Sequence, residues 1–249
     1  MTSLPPPAPV GAGLLAPLLP ARVTVVDTFH DSTGAVLFPA EEALLTRAVP
    51  KRRQEFTTAR HCARAALARL GIPPAPILPD PRGAPGWPEG IVGSLTHCVG
   101  YRAAAVAETS AVAALGIDAE PAEPLRDPDV LAMIADAGER AALDELAAGH
   151  PDIPWDRLLF SAKESVYKTW YPLTRQWLGF HEARIALDPD GTFTAALLVP
   201  GPTVAGIPLT GFTGRWRVGD GLAVTAVAVS AAPPHPPGPP EDSRAHAIR

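Results

Sequence analysis

The stretch from Trp155 to Tyr171 limits the fold more than any other, because it reads as one helix with defined ends. Asp152 is expected as its N-cap, Pro154 occupies the first turn and Pro172 is expected to stop it. On such a helix Glu164 and Lys168 are four residues apart and share a face with Phe160, Tyr167 and Tyr171. Lys163 sits one step round, beside Tyr167. A solvated Glu–Lys pair is worth only roughly a few tenths of a kcal/mol. Here the aromatic neighbours imply a half-buried surface, and charges kept on such a surface have something to bind.

A chain of 249 residues can make one large domain or two small ones. Hydrophobic residues at 47% against 19% charged describe a globular chain. A formal net charge of −5 argues against a protein whose main task is gripping DNA or RNA, although it leaves room for a local basic pocket. Cys62 and Cys98 make neither a disulfide framework nor a zinc cluster, so a reduced, cytoplasmic setting is expected. Residues 1–20 are apolar and proline-rich with no basic start, which argues against a signal helix. No later run approaches a membrane span. The tail 231–249 is Pro-rich and expected to be disordered.

Val23–Phe29 is expected as a strand and Glu41–Val49 as a short helix. Lys51–Leu70 is expected as a longer helix closed by Gly71. Its apolar stripe carries Phe56, Ala59, Ala63, Ala66, Leu67 and Leu70. Arg52 falls inside that sector near the helix start and Arg60 lines its edge. The two are read either as snorkelling cations or as an anion site. Ile72–Pro88 must be irregular, and its Arg82-Gly83 pair suits a loop that closes over a ligand. Ile91–Cys98 and Tyr101–Ala107 form a hairpin about Val99-Gly100, with Ser94, Thr96 and His97 at the end of the first strand. Val112–Glu120 is an apolar strand that turns acidic. Its period of two puts Asp118 and Glu120 on one face, and Gly116 permits a close approach. Asp129–Ala148 has helical composition, and Ile185–Leu187, Thr192–Val199 and Gly214–Val229 supply further strands.

Asp118, Glu120 and Glu164 together supply three carboxylates. Two unpaired charges 4 Å apart repel by about 4 kcal/mol at an effective dielectric of 20, so such a cluster calls for a cation. An all-oxygen set favours Mg²⁺ or Mn²⁺ over zinc. Arg52, Arg60, Arg82, His97, Lys163 and Lys168 supply the positive charge for a polyanion such as a nucleotide diphosphate. The chemistry read from the residues is Mg²⁺-dependent transfer at phosphorus.

At these residues the chain resembles a known family. Gly116-Ile117-Asp118-Ala119-Glu120, followed by Phe160-Ser161-Ala162-Lys163-Glu164-Ser165-Val166-Tyr167-Lys168, is similar to the paired signature of the 4′-phosphopantetheinyl transferases. The length and Gly93-Ser94-Leu95-Thr96-His97-Cys98 resemble the long, monomeric Sfp/EntD-type branch. The blocks at Lys51-Arg52-Arg53, Arg60-His61-Cys62-Ala63-Arg64 and Trp170-Tyr171-Pro172-Leu173-Thr174 are similar to actinobacterial, in particular mycobacterial, members.

The resemblance implies an α/β (α+β) fold of two similar subdomains, expected at 21–111 and 112–230. They would be related by a pseudo-twofold, with coenzyme A in the cleft between them. It implies that Asp118, Glu120 and Glu164 are Mg²⁺ ligands and that Arg52, Arg60 and His97 contact phosphates, His97 the 3′-phosphate. Ser94 and Thr96 would join this coenzyme A site, Lys163 would neutralise the pyrophosphate, and Lys168 completes the motif. The implied reaction attacks the β-phosphorus of coenzyme A with a carrier-protein serine, whose proton goes to Glu164 or a metal-bound water, and releases 3′,5′-ADP. The partners implied are apo acyl and peptidyl carrier proteins of fatty-acid, polyketide or nonribosomal-peptide synthesis, served by a cytoplasmic monomer with no nucleic acid or membrane partner. Relatives tend to carry a lysine after Ile77-Leu78, where this chain has Pro79-Asp80, and Arg82 is expected to take over that contact. Two rivals are a Mg²⁺-dependent nuclease, which would want Glu-x-Lys on a strand, and a non-catalytic coenzyme A or carrier-binding module.

Overall fold

The chain makes helices where apolar residues recur every three or four positions and strands where they alternate, and it stacks the two kinds in layers. The computed structural model describes residues 13–231, so the expectations for residues 1–12 and for most of the Pro-rich tail lie outside the described residues. The ordered elements begin with a 3₁₀ turn at Ala16–Leu18, β1 (Thr24–Thr28), α1 (Pro39–Glu42) and α2 (Pro50–Arg69). Next come β2 (Ile91–Cys98), β3 (Tyr101–Glu108), β4 (Val112–Pro121), α3 (Pro128–Ile134), α4 (Ala137–Gly149) and α5 (Trp155–Thr174). The chain closes with β5 (Ala183–Asp188), β6 (Thr192–Leu197), β7 (Thr203–Val204), β8 (Ile207–Pro208), β9 (Gly211–Gly219) and β10 (Leu222–Ser230).

The fold is α+β with antiparallel sheets. One sheet has the order β1-β3-β2, a second has β4-β10-β9-β6-β5, and β7-β8 is a small ribbon. Three of the four hydrophobic clusters among the described residues hold them. Cys62, Ala63, Ala66 and Leu67 of α2 pack on Ala104 and Val106 of β3. The opposite face of β3 (Ala103, Ala105, Ala107) meets Leu115, Ile117 and Ala119 of β4 and Val224 and Ala226 of β10. Ala162 and Val166 of α5 then cover Ile185, Phe193, Ala223 and Val227 on the far side of the larger sheet. Leu14, Leu15 and Leu18 are buried in the sheet-to-sheet core, so the apolar stretch before residue 20 is partly core.

Several boundaries differ from expectation. Pro172 does not stop α5: a proline costs one hydrogen bond to residue i−4, and the helix continues to Thr174 before Arg175 ends it at φ 58°. Asp152 is not the N-cap; Pro154 holds that position without a side-chain bond. The segment from Asp129 is two helices, because Asp136 starts α4 with a capping box to Glu139. The run from Gly214 is two strands turning at Asp220-Gly221, both with positive φ. The helix expected over Glu41–Val49 is α1 plus a 3₁₀ turn at Ala43–Leu45. Cys62 and Cys98 are free and buried, and burial pushes both thiols up to about 12. Among the described residues no helix is long and apolar enough to cross a membrane.

Candidate active site

Strand alternation builds the site. On β4, Leu115, Ile117 and Ala119 point into the sheet-to-sheet core, which leaves Gly116 and Asp118 facing α5. A Cβ on Gly116 would collide with the carbonyl oxygen of Ser165 and with Thr169 Oγ1. Glycine therefore lets β4 and α5 touch backbone to backbone, and this contact brings Asp118 beside Lys168. Lys168 Nζ donates to Asp118 Oδ1 at 2.7 Å and to the carbonyl of Ile117 at 3.1 Å. The free edge of β4 is stapled to β2 by hydroxyls. The Ile117 N–H donates to Ser94 Oγ (3.1 Å), the Ala119 N–H donates to Thr96 Oγ1 (3.0 Å), and Thr96 Oγ1 donates to Asp118 Oδ1 (3.3 Å).

A cleft of about 780 Å³ opens between α2, the loop at residues 79–87, β2 and α5. Arg52, Arg60, Arg82, Ser94, Thr96, His97, Asp118, Glu164 and Lys168 all line it, so the structure brings together most of the residues singled out in the sequence. Arg60 is buried over the Phe56 ring at 4.0 Å and donates from Nε to the Ile77 carbonyl at 2.9 Å. Burial, with Arg52 and Arg64 adding to it against Glu41, lowers its pKa to about 10, and it stays charged at neutral pH. Arg52 Nη1 donates to His97 Nε2. Burial first and Arg52 second push the His97 pKa down, which favours the neutral ring.

The carboxylates are strained by one another. Asp118 Oδ2 is buried without a hydrogen-bond partner. Burial, Asp118 and Glu164 together push Glu120 up to about 7 against the opposing pull of Arg157 and Lys168. Burial raises the Glu164 pKa too, with Asp118 adding to it and Lys168 opposing. An orphaned buried oxygen beside two carboxyls that resist ionising fits an oxygen-loving divalent cation. The cage is not closed, however. Among the described residues no three His, Cys, Asp or Glu side chains are grouped tightly enough to hold a metal. Glu120 is drawn away to Arg157 at 3.2 Å and lies outside the cleft lining.

The structure sets one expected site residue apart from the others. Lys163 does not enter the cleft; it points to the other side of α5 and is 3% exposed. Its ammonium donates to Glu139 at 2.8 Å and to the carbonyls of Phe180 (2.7 Å) and Ala183 (2.9 Å), which uses all three of its protons. Burial lowers its pKa and the Glu139 pair opposes that shift. One residue step is about 100° on a helix, so the neighbour of a cleft-facing Glu164 faces the core. Sequence reasoning missed its partner Glu139, although the Asp136-x-x-Glu139 capping spacing was readable. It also missed Arg157, which holds Glu120 and the carbonyls of Glu123 and Pro124.

Comparison with known proteins gives the class first. The family model described as 4′-phosphopantetheinyl transferase N-terminal domain matches residues 40–107, and that of the 4′-phosphopantetheinyl transferase superfamily matches residues 114–218. The chain is 58% identical to 4′-phosphopantetheinyl transferase Svp of Streptomyces mobaraensis, over 92% of this chain and 93% of that one. It is 47% identical to 4′-phosphopantetheinyl transferase PptT of Mycobacterium tuberculosis (87% of this chain, 98% of that one). Identity to 4′-phosphopantetheinyl transferase Npt of Nocardia iowensis is 46% (86% and 99%). The chain belongs to the 4′-phosphopantetheinyl transferase superfamily. Within it, the chain is an enzyme of the actinobacterial type, which disfavours the nuclease and the non-catalytic module.

Proposed function

We propose that the cleft binds coenzyme A and that the enzyme moves its 4′-phosphopantetheine arm onto a serine of apo acyl or peptidyl carrier proteins, releasing 3′,5′-ADP. The observation that carries this reading is the orphaned Asp118 Oδ2 within a cleft that also presents Arg52, Arg60, Arg82, His97 and Lys168. Arg52 and His97 hold the 3′-phosphate, and Arg60 and Arg82 grip further phosphate oxygens. Asp118 and Glu164 would hold Mg²⁺ or Mn²⁺, joined by Glu120 if it leaves Arg157. When bound, that ion supplies charge neutralisation at the pyrophosphate. Glu164, which lines the cleft, accepts the proton of the incoming serine. Lys168 shares its charge between Asp118 and the departing phosphate. Ser94 and Thr96 set β4 against β2 and so fix where Asp118 stands.

Lys163 has no part in the chemistry under this reading; it anchors α5. The subdomains run from 21 to 111 and from 112 to 230, related by a pseudo-twofold. The layering of α2 on one sheet and α5 on the other, back to back, supports that arrangement. The enzyme works as a cytoplasmic monomer on carriers of fatty-acid, polyketide or nonribosomal-peptide synthesis. Intact-protein mass spectrometry of an apo carrier incubated with enzyme, coenzyme A and Mg²⁺ tests the proposal. A gain of one phosphopantetheine arm, lost with EDTA and with Glu164→Ala, is expected. No gain across several carrier types would sink it.

A further inference from the structure

The turn between Leu78 and Trp87 leaves the first sheet's side of the molecule yet is fastened to α5 on the other side, and one residue does both jobs. Asp80 Oδ1 accepts the N–H groups of Arg82 (2.8 Å) and Ala84 (3.0 Å), which folds the turn on itself. The Asp80 N–H donates back to the Ala84 carbonyl at 2.8 Å, and the Gly83 N–H donates to the Asp80 carbonyl at 2.9 Å with Gly83 at φ 87°. The second carboxylate oxygen, Oδ2, is left for the far side. It accepts the Tyr171 hydroxyl at 2.7 Å and Arg175 Nη1 at 3.4 Å. Tyr171 is buried while the Asp80 carboxylate is partly exposed and Arg175 lies at the surface, so the tyrosine bond is the better shielded of the two. Arg175 ends α5, its guanidinium 5.7 Å from the Tyr171 ring centroid.

Tyr167, Tyr171 and Arg175 follow one another at four-residue steps, on the α5 face that also carries Glu164 and Lys168. The turn therefore lies along the stripe that presents the candidate chemistry, and Pro79, Arg82 and Gly83 become part of the cleft wall. Arg82 sits near enough to the Tyr167 hydroxyl to oppose the upward push that burial gives that phenol. Backbone bonds close the turn only on itself, Asp80 with Ala84 and Gly86 with Leu78 about the Pro79–Pro85 bridge; its tie to α5 is made by the Asp80 side chain.

We propose that Asp80 is a positioning residue: by latching the 79–87 turn to Tyr171 and Arg175 it holds Arg82 over the cleft, ready for a phosphate of the substrate. The proposal rests on the reading of the cleft as the coenzyme A site. A turn that is free to swing away lowers the fraction of enzyme competent to bind, and apparent affinity falls by that fraction.

The test uses Tyr171→Phe, which removes one oxygen and keeps the ring, beside Asp80→Ala, which removes latch and turn together. Coenzyme A binding is measured by calorimetry without a carrier, kcat and KM by carrier loading, and amide hydrogen exchange over residues 79–87 in the free enzyme. In Tyr171→Phe, KM for coenzyme A should rise about tenfold, equivalent to about 1.4 kcal/mol, with kcat within about a factor of two. Exchange at the 82–84 amides should quicken, and the double variant should bind no worse than Asp80→Ala alone. Faster exchange with unchanged KM would show that the latch exists but positions nothing, and the proposal falls. Unchanged exchange and unchanged KM would overturn the latch itself. If the wild-type enzyme binds no coenzyme A, the reading of the cleft fails first, and that calorimetric result is distinct from both.

Discussion

Replacing Lys163 by methionine separates two accounts of the same lysine. A side chain that neutralises pyrophosphate should, when removed, leave a stable protein that turns over about 10²–10³ more slowly. A side chain that neutralises Glu139 in the core should do the reverse. In Lys163→Met the Glu139 carboxylate keeps the N–H groups of Ile185 (2.8 Å) and Asp136 (2.9 Å) but loses its counter-charge. The carbonyls of Phe180 and Ala183 lose their donor as well. Removing one partner of a buried pair costs about 3–5 kcal/mol. At about 2–4 °C per kcal/mol for a chain of this size, the melting temperature should drop by roughly 6–20 °C. Adding Glu139→Gln should recover part of that loss, because the amide oxygen still accepts an N–H and no charge is left behind. The assay is thermal and urea unfolding of the three proteins, followed by carrier loading well below the lower melting point. Unchanged melting with turnover down a hundredfold would refute the structural account and return Lys163 to the phosphates.

Gly116→Ala should destabilise by about 2–3 kcal/mol, because the new methyl meets helix backbone that cannot step aside. A urea midpoint within error of wild type would contradict that. In metal-free protein, His97 has its folded pKa below the unfolded value, so between the two the unfolded state binds more protons and stability rises with pH. Subtracting the profile of His97→Gln from wild type should isolate a rise that ends near pH 6.5, and a flat difference would dispose of it. Mg²⁺ should raise the melting temperature, increasingly as pH climbs through about 7, where burial and Asp118 have pushed Glu120. Asp118→Asn should remove that shift, whereas its persistence would place the cation elsewhere. Arg52→Ala should weaken coenzyme A by about 10–100-fold, the range for a hydrogen bond to a charged group. With 3′-dephospho-coenzyme A the two enzymes should converge.

What the sequence revealed and what it hid divide along a physical line. The hairpin signal at Val99-Gly100 announced the Ile91–Cys98 strand and an apolar run the Val112–Glu120 strand, whose period of two put Asp118 and Glu120 on one face, and the structure has both strands. Helical spacing likewise put Glu164 and Lys168 together, and both line the cleft. These are local properties, fixed by backbone periodicity. Lys163 lies away from the cleft for a reason that is not local. Its partners lie at Glu139, Phe180 and Ala183, and a period alone does not say which sector of an amphipathic helix meets which neighbour. Gly116 was readable as a close approach, but only the fold identifies the approaching backbone as that of Ser165.

The same distinction explains why the candidate site stands at the seam of α5 and β4. A carboxylate on a strand and one on a helix can be held together without a loop only where the two elements pack with nothing between them, and Gly116 provides that place. Nearby charges then become unavoidable, since Asp118 Oδ2 is buried with no donor and Glu120 and Glu164 both resist ionising. Lys168 and Arg157 relieve that repulsion from either side, one on Asp118 and the other on Glu120. Relief by two side chains is reversible, whereas relief by apolar packing is not. Under the proposed function a seam neutralised by movable cations would exchange them for a metal ion and a phosphate, and transfer at phosphorus asks for that kind of positioned charge.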